Sequence, residues 1–241
     1  MKKVFYLVFI LLLAGQGVVK GQAALLVLIF GEKVASENFY FSLKVGANYS
    51  MVNGVEEGSN RWGPNFGLVN NIKLSERFFL TPEFLALSPR GVTDVPILTT
   101  GNPELDALLG NVPSSTDRKL NYIDVPVLLK MKLGERWSLS AGPQFSYLTG
   151  AVDIYESSPI NGTILTTEID IKDIVSRYDV AAAVNITFKV SETIAGKGMN
   201  LYIRYTQGFI DISTDNEIRH TNSTFQFGAS FPFIEKQDGD N

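Results

Sequence analysis

The chain has 241 residues, of which 45% are hydrophobic and 19% are charged, and its formal net charge is −4. This balance excludes a mainly disordered chain, and the lack of a basic excess gives no indication of nucleic acid as a partner. The sequence contains no cysteine, which rules out disulfide scaffolds and thiolate metal sites.

The N-terminus has the features of a secretory signal peptide. Lys2 and Lys3 precede an unbroken apolar run, residues 4–14, which is too short to span a membrane as a helix. We expect residues 1–22 to be the signal peptide, with cleavage between residues 21 and 23; an uncleaved anchor helix is the alternative. Residues 23–38 then form an apolar N-terminal segment whose role the sequence leaves open.

Eight segments follow in which apolar and polar residues alternate, the period-two pattern of β-strands. In one of them, Ile123 and Val125 share a face, whereas Tyr122 and Asp124 point the other way. The eight segments are residues 39–51, 62–74, 78–87, 121–133, 137–147, 177–190, 199–210 and 221–233. Residues 39–233 are therefore expected to form one β domain, and residues 234–241 a polar C-terminal tail.

The connections between these segments alternate between short and long. The short ones are residues 75–77, 134–136 and 191–198; the long ones are residues 52–61, 88–120, 150–176 and 211–220. This alternation is typical of an up-and-down membrane barrel with periplasmic turns and extracellular loops, and a Greek-key sandwich does not predict it. We therefore predict an all-β fold, an eight-stranded antiparallel transmembrane barrel in the bacterial outer membrane. A soluble exported β-sandwich is the alternative.

Two further features fit a membrane barrel. Aromatic residues lie near both ends of the strands, where girdles are expected: Trp137 and Phe188 at the turn end, Trp62, Tyr147 and Tyr178 at the loop end. The longest loop contains residues 102–110, which begin and end on capping residues and predict a two-turn helix.

The polar strand faces are expected to point into the barrel. Several lysines, among them Lys73, Lys132 and Lys189, should line the interior. Its predicted polar cluster consists of Lys44, Glu83, Asp124, Lys130, Asp179 and Arg204. Enclosed charges must be paired or hydrated, so we expect Glu83 to form an ion pair with Lys44 or Arg204 across the lumen. Side chains just fill an eight-stranded barrel, which favours a polar plug over the alternative, a narrow pore.

Two stretches carry a resemblance to a known family. The hairpin "YIDVPVLLKMKLGERWSLSAGPQFSYL" and the N-terminal "ALLVLIFGEKVASENFYFSLKVGANYS" resemble PorT-like outer-membrane β-barrel proteins of Bacteroidetes-type bacteria. The resemblance implies an eight-stranded outer-membrane barrel without a catalytic motif. One branch of that family is tied to protein secretion across the outer membrane by the type IX pathway.

Motifs for catalysis are sparse. His220 is the only histidine, and Ser223 lies close to it in sequence, so a Ser/His pair at the rim is conceivable but lacks a third member. We expect no cofactor and no metal. We predict a non-enzymatic outer-membrane protein with a structural or interaction role, whose partners are outer-membrane lipids and envelope or secretion-system proteins. The alternatives are an accessory component of protein secretion and a small polar pore.

Overall fold

The alternating segments form long antiparallel strands. The computed structural model describes residues 35–36, 38–55, 58–96, 104, 114–157, 166–191, 198–213 and 219–233. The strands are β1 (Ala35–Ser36), β2 (Phe39–Asn53), β3 (Ser59–Lys73), β4 (Phe78–Pro96), β5 (Ser114–Lys132), β6 (Trp137–Ser157), β7 (Thr166–Asp170), β8 (Tyr178–Ser191), β9 (Met199–Gly208) and β10 (Thr221–Phe233). The expected signal peptide and polar tail lie outside the described residues, as does the helix predicted at 102–110 except for Glu104.

Eight of the strands close into a barrel. The order around the ring is β2, β10, β9, β8, β6, β5, β4 and β3, and β3 pairs again with β2. The closing seam between β10 and β2 runs from Thr221↔Asn53 to Phe233↔Phe41, and neighbouring strands of the ring are antiparallel throughout. Short β1 pairs with β2, and β7 pairs with β6. The predicted eight-stranded antiparallel barrel is thereby confirmed.

The barrel carries its apolar side chains outside and its polar side chains inside. Outward residues such as Val125, Val184 and Ile203 are 39%, 47% and 63% exposed. The fully buried inward residues include Asn48, Asp124, Gln144, Arg204 and Gln226. This arrangement inverts that of a soluble protein and is the one expected of a barrel surrounded by lipid. The part of the chain that the structure describes has no helix long and apolar enough to cross a membrane.

Aromatic contacts mark the two edges of the apolar band. At the turn end, the rings of Trp137 and Phe188 lie 4.7 Å apart; at the loop end, those of Tyr147 and Tyr178 lie 5.6 Å apart. On β6, ten residues separate Trp137 from Tyr147. At about 3.3 Å per residue and a tilt of about 40°, this span is about 25 Å high, which matches the apolar band of outer-membrane barrels.

The strands continue well beyond this band at the loop end. β4 runs to Pro96, β5 begins at Ser114 and β6 runs to Ser157, so the predicted loops 88–120 and 150–176 are wrong over much of their length. The predicted loop 52–61 likewise shrinks to residues 54–58. The error has a physical cause: bulges between Leu85 and Ser88 and next to Asn121 shift the alternation by one residue, whereas strand pairing continues.

The inside of this extension is apolar. Val92, Leu120, Leu148 and Ala151 from β4, β5 and β6 are at most 5% exposed. The complete cluster also contains Val52, Val95, Tyr122, Ile171, Val175 and Ile212. A small hydrophobic core therefore caps the polar lumen at the loop end.

Candidate functional site

Strand β4 supplies two opposite charges to the lumen, Glu83 and Arg90. The two residues are seven positions apart, so in a regular strand they would point to opposite faces. The register shift between Leu85 and Ser88 reverses the alternation and turns both side chains inward. Both are buried, Glu83 being 7% and Arg90 1% exposed.

Glu83 accepts hydrogen bonds from two cations on other strands. Its Oε2 accepts from Lys44 Nζ on β2 at 3.1 Å, and its Oε1 accepts from Arg204 Nη2 on β9 at 2.5 Å. β9 lies diametrically opposite β4 in the ring of eight strands, so this ion pair crosses the whole lumen. We name Lys44, Glu83 and Arg204 the basic triad, because its net charge is positive.

Arg90 joins two carboxylates at a second level. Its Nη1 donates to Asp179 Oδ2 on β8 at 2.9 Å, and its Nη2 donates to Asp124 Oδ1 on β5 at 2.5 Å. Nη2 also donates to Ser146 Oγ at 2.9 Å, and Asn222 Nδ2 donates to Asp179 at 3.0 Å. We name Arg90, Asp124 and Asp179 the acidic triad, because its net charge is negative.

The two triads compensate each other. Buried charges are tolerated when they are paired and hydrogen-bonded, and an excess charge in one triad is offset by the opposite excess in the other. Neutral side chains reinforce the network: Asn48 Nδ2 on β2 donates to Ser88 Oγ on β4 at 3.1 Å and Asn65 Nδ2 on β3 donates to Asn48 Oδ1 at 3.0 Å. The lumen is therefore crossed by polar contacts at two levels below the apolar cap.

Five of the six residues in the predicted polar cluster lie in these triads: Lys44, Glu83, Asp124, Asp179 and Arg204. The structure does not bring Lys130 into either triad. Arg90, the centre of the acidic triad, was missed because the sequence assigned it to a loop. The alternation that resumes one residue out of phase at Ser88 and Arg90 is the signal that could have identified it.

Lys130 instead lines a polar cavity at the turn end of the lumen. The cavity has a volume of about 40 Å³, and its walls include Lys44 and Glu83 of the basic triad. Tyr40 and Lys130 in its wall are only partly buried, so the cavity opens toward the turns.

His220 lies at the loop end, away from the triads. Ser223 Oγ donates to Gln207 Oε1 at 3.0 Å and accepts from Asn53 Nδ2 at 2.7 Å, so its hydroxyl is engaged by residues other than His220. The backbone N–H of His220 donates to Asp211 Oδ1 at 3.0 Å, and this hydrogen bond is the main cause that lowers the pKa of the Asp211 carboxyl. Within the described ranges, no group of three or more His, Cys, Asp or Glu residues is placed to hold a metal ion.

Solved structures of outer-membrane proteins are similar to this chain at low sequence identity. Ail from Yersinia pestis, solved in complex with the heparin analogue sucrose octasulfate, is 14% identical with a TM-score of 0.44, covering 80% of this chain and 97% of its own. Neisserial surface protein A is 10% identical with a TM-score of 0.46, at the same coverages. OprG from Pseudomonas aeruginosa is 10% identical with a TM-score of 0.40, covering 84% and 99%. No curated protein matches the chain significantly.

The family comparison agrees with the geometry of the barrel. The family model described as "Outer membrane protein beta-barrel domain" matches residues 32–214, well over half of the chain. Together with the closed ring, the apolar exterior and the paired charges inside, this match shows that the chain is an outer-membrane barrel that belongs to the outer membrane protein beta-barrel domain family.

Proposed function

We propose that this outer-membrane barrel is non-enzymatic and closed, and that it serves as a structural or interaction protein. The main support for a closed lumen is the pair of triads that cross it. Glu83 reaches the opposite wall at Arg204, and Arg90 reaches Asp179 three strands away. An eight-stranded barrel has little width to spare beyond its own side chains. Paired charges at two levels, under an apolar cap, leave the lumen plugged rather than conducting.

The surface for partners is the loop-end extension, which we define as residues 88–96, 114–121 and 148–157 together with β7. Arg118 on β5 donates to both carboxylate oxygens of Asp153 on β6, at 2.8 and 2.7 Å, and this bidentate pair stiffens the extension. Ten residues of β6 follow Tyr147, so the extension rises roughly 25 Å above the loop-end girdle. A rigid extension of this height can hold the segments that connect its strands beyond the lipid headgroups, where envelope proteins can bind them.

Conductance in planar lipid bilayers tests whether the lumen is closed. We expect the wild-type barrel to carry no steady current, and Glu83→Ala to produce intermittent channel events, because removal of this carboxylate breaks both cross-lumen contacts of the basic triad. Glu168→Ala is the matched control, since Glu168 lies exposed on β7 outside the lumen. Steady ion flow through the wild type would contradict a plugged lumen and favour the alternative, a small polar pore.

A second candidate is an accessory role in protein secretion across the outer membrane. It is supported by the resemblance of residues 24–50 and 122–148 to the PorT-like family of Bacteroidetes-type bacteria, one branch of which serves type IX secretion. Affinity purification of the full chain in mild detergent separates the two roles. A stable complex with secretion-system proteins supports the accessory role, whereas recovery of the barrel with lipids alone contradicts it.

A further inference from the structure

The turn-end cavity is a polar pocket that is blind at its inner end. Its walls come from β2, β3, β4, β5, β6, β8, β9 and β10, so it occupies the axis of the barrel. On its inner side Glu83 is held between Lys44 and Arg204, which closes the passage toward the loop end. A solute therefore enters and leaves this cavity through the periplasmic mouth alone.

Positive charge around the cavity exceeds negative charge. Glu83 is shared between two cations, Lys44 and Arg204, so within the basic triad one carboxylate faces two positive charges. Lys130 lines the same cavity and forms no ion pair with any carboxylate of the described residues. The cavity wall thus carries two lysines against one carboxylate, a positive balance that attracts an anion.

The mouth of the cavity extends this positive field. The charged residues of the described turn end are Lys73, Arg77, Lys132, Arg136 and Lys189, against Glu76 and Glu135. Of the two acids, Glu76 is already paired with Lys73 at 2.6 Å. An opening at which positive charge predominates concentrates anions at its entrance.

The walls also offer neutral hydrogen-bond donors. Tyr202 lies in the wall with its ring centre 4.0 Å from Lys44 Nζ, and its own hydroxyl is buried. The remaining walls carry Ser42, Asn71, Thr81, Ser140, Asn185, Thr187, Asn200 and Ser230. Hydroxyl and amide groups placed beside lysines are the groups that bind phosphate and carboxylate oxygens.

We infer that the turn-end cavity is a binding site for a small oxyanion from the periplasm, a phosphate or a compact carboxylate. Lys130 Nζ is its principal charged ligand, and the basic triad forms the floor of the site. The enclosed volume of about 40 Å³ is room for a few water molecules, which restricts the ligand to a compact anion. The site goes beyond the proposed structural role, since a closed barrel needs no ligand.

Isothermal titration calorimetry of the folded full chain in detergent, at low ionic strength, tests this inference. The probes are inorganic phosphate in one arm and succinate in the other, and the arm with the tighter binding identifies the preferred class. We expect saturable binding in at least one arm, weakened about tenfold or more by Lys130→Gln, because a charge-assisted hydrogen bond is lost. Lys130→Arg keeps the charge and should stay within about threefold of the wild type.

Lys119→Gln is the matched control, since it removes a lysine from the same strand at the opposite end of the barrel and should leave binding unchanged. The shift in gel migration between unboiled and boiled samples reports whether each variant is folded. Absence of saturable binding in both arms for the wild type overturns the site, as does equal weakening by Lys119→Gln and Lys130→Gln. The calorimetric result does not depend on conductance, so the plugged lumen and the anion site can each be disproved without the other.

Discussion

At the scale of single residues, Arg90 is the most constrained side chain of the lumen. Its guanidinium donates to Asp179, Asp124 and Ser146 at once and lies 4.4 Å from the centre of the Tyr122 ring. The planar, forked and permanently charged guanidinium separates its two donor nitrogens, so that one reaches Asp179 while the other reaches Asp124 and Ser146. A lysine at this position supplies the charge without the fork.

Replacement of Arg90 should be costly. Arg90→Met leaves Asp124 and Asp179 buried without their cation, so we expect a loss of about 3–5 kcal/mol in the free energy of unfolding. Urea unfolding in lipid vesicles, followed by tryptophan fluorescence, measures the loss. The control is Arg118→Met, whose side chain is 18% exposed at the rim and whose removal should cost less. An equal, small effect of both substitutions would show that the acidic triad contributes little.

At the scale of the element, the irregularity of β4 is what makes the lumen network possible. Without the bulge, Glu83 and Arg90 cannot both point inward, and the cross-lumen contacts of one triad are lost. Gly91 follows immediately with a φ of +129°, a conformation that favours glycine. Its N–H donates to Ser50 Oγ at 3.0 Å, and Ser50 Oγ donates back to its carbonyl oxygen at 3.3 Å. Strand β2, which is separated from β4 by β3, thereby fixes the backbone next to Arg90.

Two glycine substitutions separate backbone strain from steric collision. A Cβ at Gly91 would collide with the carbonyl oxygen of Arg118, whereas a Cβ at Gly134, which has a φ of +148°, meets nothing within 4 Å. We expect Gly134→Ala to lower the free energy of unfolding by about 1 kcal/mol and Gly91→Ala by about 3 kcal/mol or more. Equilibrium unfolding of both variants checks the order; the same cost for both would contradict the collision at Gly91.

At the scale of the whole molecule, the distribution of polar and apolar side chains is the reverse of that in a soluble domain. Its exterior between the girdles is apolar because hydrocarbon replaces water there, and its interior is polar because paired charges fill the lumen. The charge also differs between the ends: cations outnumber acids at the described turn end, whereas at the described loop end acids such as Asp117, Glu168 and Asp170 lie among Arg118, Lys119 and Lys172. The turn end therefore carries the more positive charge of the two.

A charged substitution on the outer face should depend on depth in the membrane. Val184 and Ile174 are similarly exposed, at 47% and 53%, but Val184 lies between the girdles and Ile174 beyond them. We expect Val184→Arg to cost about 2–4 kcal/mol in lipid, as for arginine near the bilayer midplane, and Ile174→Arg to stay within about 0.5 kcal/mol of zero. Unfolding and refolding in lipid vesicles measures both. A negligible cost at Val184 would contradict a lipid-facing surface.

The sequence alone determined the eight strands of the barrel, without their ends, and the direction of their apolar faces. Alternation with a period of two is a local property, and residues such as Val125 and Asp124 display it without reference to any other strand. The alternation of short and long connections added the up-and-down order, and the family match agrees with the outer membrane as the location. The polar strand faces also named Lys44, Glu83, Asp124, Asp179 and Arg204 as residues of the interior.

Only the tertiary structure decided which charges meet and where the strands end. The partner of Glu83 across the lumen depends on the number of strands in the ring and on the register of every strand between β4 and β9, which no local pattern contains. The bulge in β4 shifted the alternation, so Arg90 could not be distinguished from a loop residue until the pairing with β5 was known. Lys130 follows the inward pattern as well as Asp124 does, but its depth along the axis places it in the turn-end cavity. It joins neither triad, because the carboxylates of the triads already hold other cations.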